Sequence, residues 1–328
     1  MTNTPFPQPL AIAPHRIHPD TRPAYVHLKV ANLEQQLYFY RHVIGLQIHW
    51  QEGKSAGLGV KSPGEKWEDL VRLTEVENGR RYQGVTGLYH FALLLPNRRE
   101  LARLIARLFA LRWPNYPTDH VMTKTTYLED PEGNTIEVYC ESPEDGIFAV
   151  DDAGNFYARR HDGRQSNGRE PLDLQELFSH LAERDEAAIL RPMPPDTRMG
   201  HFHLYVNDLQ ETRAFYHEGL GFDDMGIAHR FGMGMVSAGG YHHHIGYNIW
   251  RGVGAPPHPA DALGLQWIAF DLPGQDAFGA FVTRLKALNL PYHETEEGIL
   301  ISDPSHNAVL FRLGKETSPS QRPPSENA

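Results

Sequence analysis

An internal repeat is the feature that most constrains this chain. Residues 26–46 read VHLKVANLEQQLYFYRHVIGL and residues 202–222 read FHLYVNDLQETRAFYHEGLGF. Both carry H-L-x-V-x-x-L, then F-Y, then G-L or G-F, in one register. Each copy opens with the alternation of a half-buried strand. In the first, Val26, Leu28 and Val30 share one face, and Tyr25, His27 and Lys29 share the other. A helix should follow. Asn32 with Gln35, and Asp208 with Glu211, stand at N-cap and N3 spacing. Gly45 and Gly221 stand where a helix end takes a left-handed residue.

A second pair of matches extends the repeat. GLYHFALLLP (87–96) matches GLQWIAFDLP (264–273), and each precedes a helical stretch, 98–111 and 275–288. YLEDPEGNTIEVY (127–139) matches LISDPSHNAVLFR (300–312), where Asp-Pro-x-x-Asn marks a turn between strands. The chain therefore holds four strand–helix–strands modules in two halves, 22–142 and 198–314. Residues 1–21 form an N-terminal extension. Residues 143–197, rich in Asp, Gly and Arg, form a connector with one helix around 172–187. The tail, 315–328, lacks apolar content and is expected to be disordered.

Length and composition agree with two domains. A chain of 328 residues exceeds what one core usually organises. No apolar run approaches the roughly 20 residues of a membrane helix. The opening MTNTPFPQPLAIAPH shows no basic region followed by an apolar one. Cys140 is the sole cysteine and cannot form an internal disulfide. The expectation is a soluble, cytoplasmic protein with no membrane partner. A net charge of −10 argues against nucleic acid, whose non-specific binding needs clustered Lys and Arg. Homo-oligomerisation stays open.

The motifs HLKVANL, GLYHFALLLP and DHVMTKTTYLEDPEGNTIEVY resemble those of the vicinal-oxygen-chelate superfamily, which includes glyoxalase I, bleomycin-resistance proteins and type I extradiol dioxygenases. The nearest subgroup is similar to catechol 2,3-dioxygenase-like proteins. The resemblance covers both halves. It implies an α+β fold of two domains, each a pair of βαβββ modules forming a curved, cup-like mixed sheet. It also implies a ring-cleaving dioxygenase of aromatic catabolism, acting on a catechol or hydroquinone with O2. The implied cofactor is Fe(II), with Mn(II) as the alternative.

In extradiol enzymes one His comes from the first strand of one module. A second His and a Glu come from the first and last strands of the next. The matching positions here are His27, His90 and Glu137, which the resemblance makes the metal ligands of the first domain. Two imidazoles and one carboxylate on one side of an ion leave further positions open, which suits non-haem Fe(II). In the second half His203 matches His27, but Trp267 and Leu310 stand where His90 and Glu137 would be, so that half is read as ligand-depleted. The resemblance places His120 and Tyr127 in the pocket as catalytic residues, His120 steering a proton and Tyr127 bonding a substrate oxygen. The run GGYHHHIGYN (239–248) is similar to a stretch that supplies an acid in extradiol enzymes. It falls in the ligand-depleted half, so a structural role is expected for His242, His243 and His244. Two other activities suit this fold. A glyoxalase-type isomerase would need Zn2+ or Ni2+ and two carboxylates, and a bleomycin-resistance-type binding module would need no metal.

Overall fold

The structure, a computed structural model, describes residues 16–61, 66–181 and 185–315. Most of the N-terminal extension, the tail beyond Lys315 and part of the expected connector helix lie outside these residues. Among the described residues no helix is long and apolar enough to cross a membrane.

Each half opens as the repeat predicts. In the first module β1 (Arg22–Val30) leads into α1 (Leu33–Tyr38), and β2 (Gln47–Glu52), β3 (Ser55–Lys61) and β4 (Trp67–Glu75) follow. The second comprises β5 (Gly87–Leu94), α2 (Arg98–Ala110), β6 (Tyr116–Asp119), β7 (Thr123–Glu129) and β8 (Thr135–Glu141). The connector contributes β9 (Gly146–Val150), β10 (Phe156–Arg160), β11 (Gln165–Ser166), β12 (Glu170–Pro171), α3 (Leu174–Ser179) and α4 (Glu186–Ile189). The third module is β13 (Arg198–Tyr205), α5 (Leu209–Arg213), β14 (Asp223–Ala228), β15 (Met233–Ser237) and β16 (Ile245–Asn248). The fourth is β17 (Gly264–Pro273), α6 (Gly274–Ala287), β18 (His293–Thr295), β19 (Gly298–Ser302) and β20 (Ala308–Gly314).

The caps form as the spacing requires. The Asn32 side chain accepts from the Gln35 amide, and that of Asp208 from the Gln210 and Glu211 amides. Both α1 and α5 pass into a π-helical turn, Phe39–Ile44 and Ala214–Gly219. Gly45 and Gly221 then reverse the chain at φ of 97° and 90°. On α2, Leu101, Leu104, Ile105 and Leu108 recur at i, i+3, i+4 and i+7 and are buried against the sheet.

The modules pair in a way their order does not suggest. One sheet runs β18-β19-β20-β17-β1-β4-β3-β2, and the other runs β12-β6-β7-β8-β5-β13-β16-β15-β14. Modules one and four thus share a sheet, joined by antiparallel β1 and β17, and modules two and three share the other through antiparallel β5 and β13. Each half of the chain gives one module to each sheet. Within a half, the modules are tied by side chains. The Tyr40 hydroxyl donates to Asp130 at 3.1 Å, and the Tyr216 hydroxyl donates to Asp303 at 3.2 Å. These join the F-Y of one module to the Asp-Pro turn of the next. Val26, Phe91, Phe202 and Phe270 point into one shared core, and the opposite faces of the same strands line two cups.

The connector holds more structure than a single helix. Strands β9, β10 and β11 form a small sheet, and β12 extends the nine-stranded sheet beside β6. These strands are short and turn through Asp-rich loops, where Asp151 accepts from the amides of Ala153 and Asn155. Two short helices, α3 and α4, stand in place of the one expected.

Candidate metal centre

The cup of the nine-stranded sheet gathers three donors at its centre. His90 projects from β5, Glu137 from the neighbouring parallel β8, and His201 from the antiparallel β13. The Glu137 Oε2 lies 3.1 Å from the His201 Nε2 and 3.2 Å from the His90 Nε2. The two Nε2 atoms are 3.2 Å apart. All three residues are buried. This is the group of three His, Cys, Asp or Glu residues among the described residues whose donor atoms converge closely enough to hold a metal ion.

Register explains the convergence. Ala92 stands between Glu137 on one side and His201 on the other, and His90 lies one pleat away on the same face. The small Ala92 side chain lets the longer ones meet above it. Gly200 does the same for Tyr139, because a Cβ there would collide with the Tyr139 ring. That ring packs against His201 with centroids 5.2 Å apart, and its hydroxyl bonds Tyr241 at 2.5 Å.

The protonation states of Glu137 and His201 suit metal binding, which needs an ionised carboxylate and neutral imidazole. Burial works to raise Glu137, but the two imidazoles facing it hold its carboxyl well below the ordinary carboxylate range. Burial pushes His201 down to about 4. Donor chemistry and spacing both fit an ion. At the ordinary metal–nitrogen distance of about 2.1 Å, donors this far apart subtend roughly 100° at the ion, close to an octahedral face. The residues present therefore fit a divalent metal held by two histidines and one carboxylate.

Two of the three ligands expected from the sequence, His90 and Glu137, come together, and His27 does not join them. His27 lies on β1 in the other sheet, paired with Trp267. Its Nε2 bonds the Thr74 hydroxyl at 2.8 Å, and its ring meets the Trp267 ring edge-on at 4.3 Å. The physical reason is the module pairing: the strand beside β5 is β13, so the second histidine comes from the third module. The ligand is also not the repeat-matched residue. His203, the counterpart of His27, faces His90 across the strand pair, and His201 is two residues earlier. A sequence signal existed, since H-F-H puts two histidines on one face of β13 where β1 offers Tyr25 and His27.

His120 and Tyr127 lie beside the triad. Tyr127 pairs with Glu137 across β7 and β8, and its ring is 5.7 Å from that of His90. Its hydroxyl lies 2.8 Å from the His120 Nε2, while the His120 Nδ1 bonds the Gly168 carbonyl in the connector. A neutral His120 with its proton on Nδ1 donates to Gly168 and accepts from Tyr127. Burial lowers His120 and raises Tyr127 well above the phenol range, so both are neutral near pH 7.

The histidine run, expected to be structural, also reaches the cup. The His243 ring lies 4.3 Å from that of His201, and its Nδ1 is 2.8 Å from the His242 Nδ1. His242 in turn meets Glu141 at 3.4 Å. His244 points elsewhere and accepts from the Ala238 amide. Module order hid this, because the run belongs to the module that completes the metal-bearing sheet.

The other cup is filled by its own side chains. Tyr25, Trp267 and Leu310 take the places of His201, His90 and Glu137 in register. The Arg72 guanidinium sits over the Tyr25 ring at 4.0 Å and donates to the Tyr25 hydroxyl and to Glu297. Arg72 thus stands against the residues of this cup, and no second metal-holding group is found among the described residues.

Fold and centre together define a protein of paired βαβββ modules with a two-histidine, one-carboxylate site in one cup. The chain belongs to the Glyoxalase/Bleomycin resistance protein/Dioxygenase superfamily, whose family model matches residues 22–138 and 198–311. A catechol-2,3-dioxygenase of Bacillus subtilis (strain 168) is 36% identical over 298 residues, which is 90% of this chain and 98% of that protein. Among solved structures, a Bacillus subtilis strain 168 protein assigned as a dioxygenase aligns over 91% of this chain and 86% of its own, with TM-score 0.57 and 12% identity. Glyoxalase I from Zea mays aligns over 90% of this chain and 92% of its own, with TM-score 0.52 and 14% identity. At those identities the two structures bear on the fold alone.

Proposed function

We propose that this protein is an extradiol-type dioxygenase that opens the ring of a catechol or hydroquinone with O2. The observation that carries this reading is the buried His90–Glu137–His201 triad, flanked on one side by Tyr127 and His120 and on another by His243. The similarity to a catechol-2,3-dioxygenase over nearly the whole chain supports it. The single carboxylate favours it over a glyoxalase-type isomerase.

His90, His201 and Glu137 would hold Fe(II), with Mn(II) as the alternative. When bound, the ion supplies open positions at which a vicinal diol and dioxygen sit side by side. The chain's own groups do the rest. Glu137 cancels one of the ion's two charges, leaving a site that still favours a catecholate. Tyr127 is held neutral with its proton turned to the His120 Nε2, so its oxygen is left to accept from a substrate hydroxyl, and His120 orients it through its own bond to Gly168. The His243 Nδ1 is engaged by His242, and its Nε2 makes no hydrogen bond among the described residues. His243 is therefore free to hold or release a proton at Nε2 over the cup. Burial of the triad limits competing water at the ion.

Oxygen uptake decides the matter. Protein purified without oxygen and loaded with Fe(II) or Mn(II) should consume O2 with a catechol and give a yellow ring-opened product. If neither form consumes O2 with any catechol or hydroquinone in a panel, the dioxygenase reading fails.

A further inference from the structure

Glu141 lies outside the triad but on one of its strands. Glu137, Tyr139 and Glu141 alternate along β8, so all three share the face that lines the metal-bearing cup. The half-buried Glu141 carboxylate is the meeting point of two side chains from the segment between β15 and β16. Its Oε1 accepts from the Tyr241 hydroxyl and lies 3.4 Å from the His242 Nε2. That segment turns through Gly239 and Gly240 at φ of 63° and 75°, and Tyr241, His242 and His243 belong to no strand. Side-chain bonds therefore carry much of their orientation.

Two arms run from Glu141 back to the cup. Through Tyr241 the first reaches the Tyr139 hydroxyl, and the Tyr139 ring packs on His201. Through His242 the second reaches His243, where the two Nδ1 atoms stand 2.8 Å apart and the His243 ring lies 4.3 Å from that of His201.

The second arm has a direction. An ionised carboxylate can only accept. Burial works to raise Glu141, but His242, Tyr241 and the charge of Arg198 hold its carboxyl below the ordinary carboxylate range, so it is ionised at neutral pH. His242 must then carry a proton on Nε2 to bond it. A neutral His242 so arranged has a bare Nδ1, and the His243 Nδ1 must donate to it. A neutral His243 is left with a bare Nε2.

We infer that Glu141 is a positioning residue: through His242 it fixes the tautomer of His243, so that the His243 Nε2 meets the substrate as a proton acceptor. The inference rests on the proposed dioxygenase reading for what His243 does, but not for which of its nitrogens carries the proton. Both bonds to Glu141 fall on one oxygen. The amide oxygen of Glu141→Gln can therefore keep them, whereas Glu141→Leu removes the acceptor. Tyr241→Phe cuts the first arm alone.

The test reads the tautomers directly, from the 15N shifts of the histidine rings. It uses full-length protein loaded with diamagnetic Zn(II) at pH 8, where an ordinary imidazole is neutral. Protonated and bare ring nitrogens resonate far apart, His243→Gln identifies the His243 signals, and circular dichroism controls for folding. The parent should show His243 protonated on Nδ1 and His242 on Nε2. Glu141→Leu should give His243 a mixture of tautomers, while Glu141→Gln and Tyr241→Phe should keep the parent pattern. With Fe(II), a catechol and O2, Glu141→Leu should lower kcat by roughly 10–100-fold, the usual loss when a group orienting a functional imidazole is removed, with KM within about twofold. A His243 proton on Nε2 in the parent, or an unchanged pattern in Glu141→Leu, overturns the assignment. So does a pattern lost equally in Tyr241→Phe, which would make the effect one of loop packing. The expected tautomers without oxygen uptake by the parent uphold Glu141 and sink the dioxygenase reading. Oxygen uptake by a parent with the His243 proton on Nε2 does the reverse.

Discussion

Tyr25 and His201 occupy the same place in the two sheets. Tyr25 pairs with Ala269 on β17, and His201 pairs with Ala92 on β5. Two residues on, His27 faces Trp267 as His203 faces His90. One cup thus carries a donor where the other carries a phenol that burial pushes up to about 12.

The equivalence fixes what substitution should do to metal content. His201→Ala removes one of three donors and should abolish stoichiometric binding, as should His90→Ala and Glu137→Ala. His27→Ala should leave the metal in place, because its ring bonds Thr74 in the other cup. Elemental analysis reads the metal, with circular dichroism as a control for folding. Loss of metal from His27→Ala, or full occupancy in His201→Ala, would reverse the ligand assignment.

The repeat made the modules, caps and left-handed glycines legible, because those depend on neighbours in sequence. His90 and Glu137 were legible through the resemblance of their motifs to those of extradiol enzymes, and strand phase agreed with them. Module pairing was not, since β1 and β13 carry the same alternation and either could lie beside β5. That undetermined contact moved the second histidine from β1 to β13 and brought His243 into the site, and on β13 the ligand is His201, two residues before the repeat-matched His203. The connector sheet escaped because a strand such as Gln165–Ser166 is too short to show a period.

His27 should also make the protein sensitive to acid. Burial, aided by Arg72, lowers it from 6.5 to about 4. Between those values the unfolded chain holds a proton that the folded one does not. Stability is therefore complete above pH 6.5 and falls as pH drops toward 4, by about 3 kcal/mol at most for this group. His27→Gln keeps a donor for Thr74 but cannot titrate. Urea unfolding from pH 7 to 4 should show a shallower decline in this variant. Parallel curves would mean that His27 does not govern acid stability.

His243 and His120 should separate by how they fail. His243→Ala should retain metal and slow turnover by roughly 10²–10⁴-fold, the usual range for a positioned acid–base group. His120→Ala leaves the Tyr127 hydroxyl unanchored and should also slow turnover with metal retained. In a Tyr127→Phe background, however, His120→Ala should cost little more, because the two act through one hydrogen bond. Turnover within about twofold of the parent for His243→Ala would remove it from the proton-handling groups. Fully additive losses for His120 and Tyr127 would show that His120 acts independently of Tyr127.

A final prediction concerns how the first π-helical turn is held. Arg107 on α2 is one of the largest fully buried side chains, and it has no carboxylate partner among the described residues. Its guanidinium donates to the Ile44 carbonyl at 2.8 Å, to the Ile189 carbonyl at 3.2 Å and to the Arg191 carbonyl. It thereby ties the end of the π-helical turn to α2 and the connector. Gly45 follows at φ 97°, and a Cβ there would run into the Arg107 Nη1. Arg107→Met keeps the length but leaves the buried Ile44 carbonyl unpaired, at a cost of about 1–3 kcal/mol. Gly45→Ala suffers twice, from a backbone angle alanine rarely adopts and from the collision. In the Arg107→Met background the collision is relieved, because a flexible thioether can yield. A double-mutant cycle by urea unfolding should therefore give a combined loss smaller than the sum of the single losses. A strictly additive cycle would show that Gly45 is required for its backbone angle alone, and that the arginine does not depend on the space it leaves.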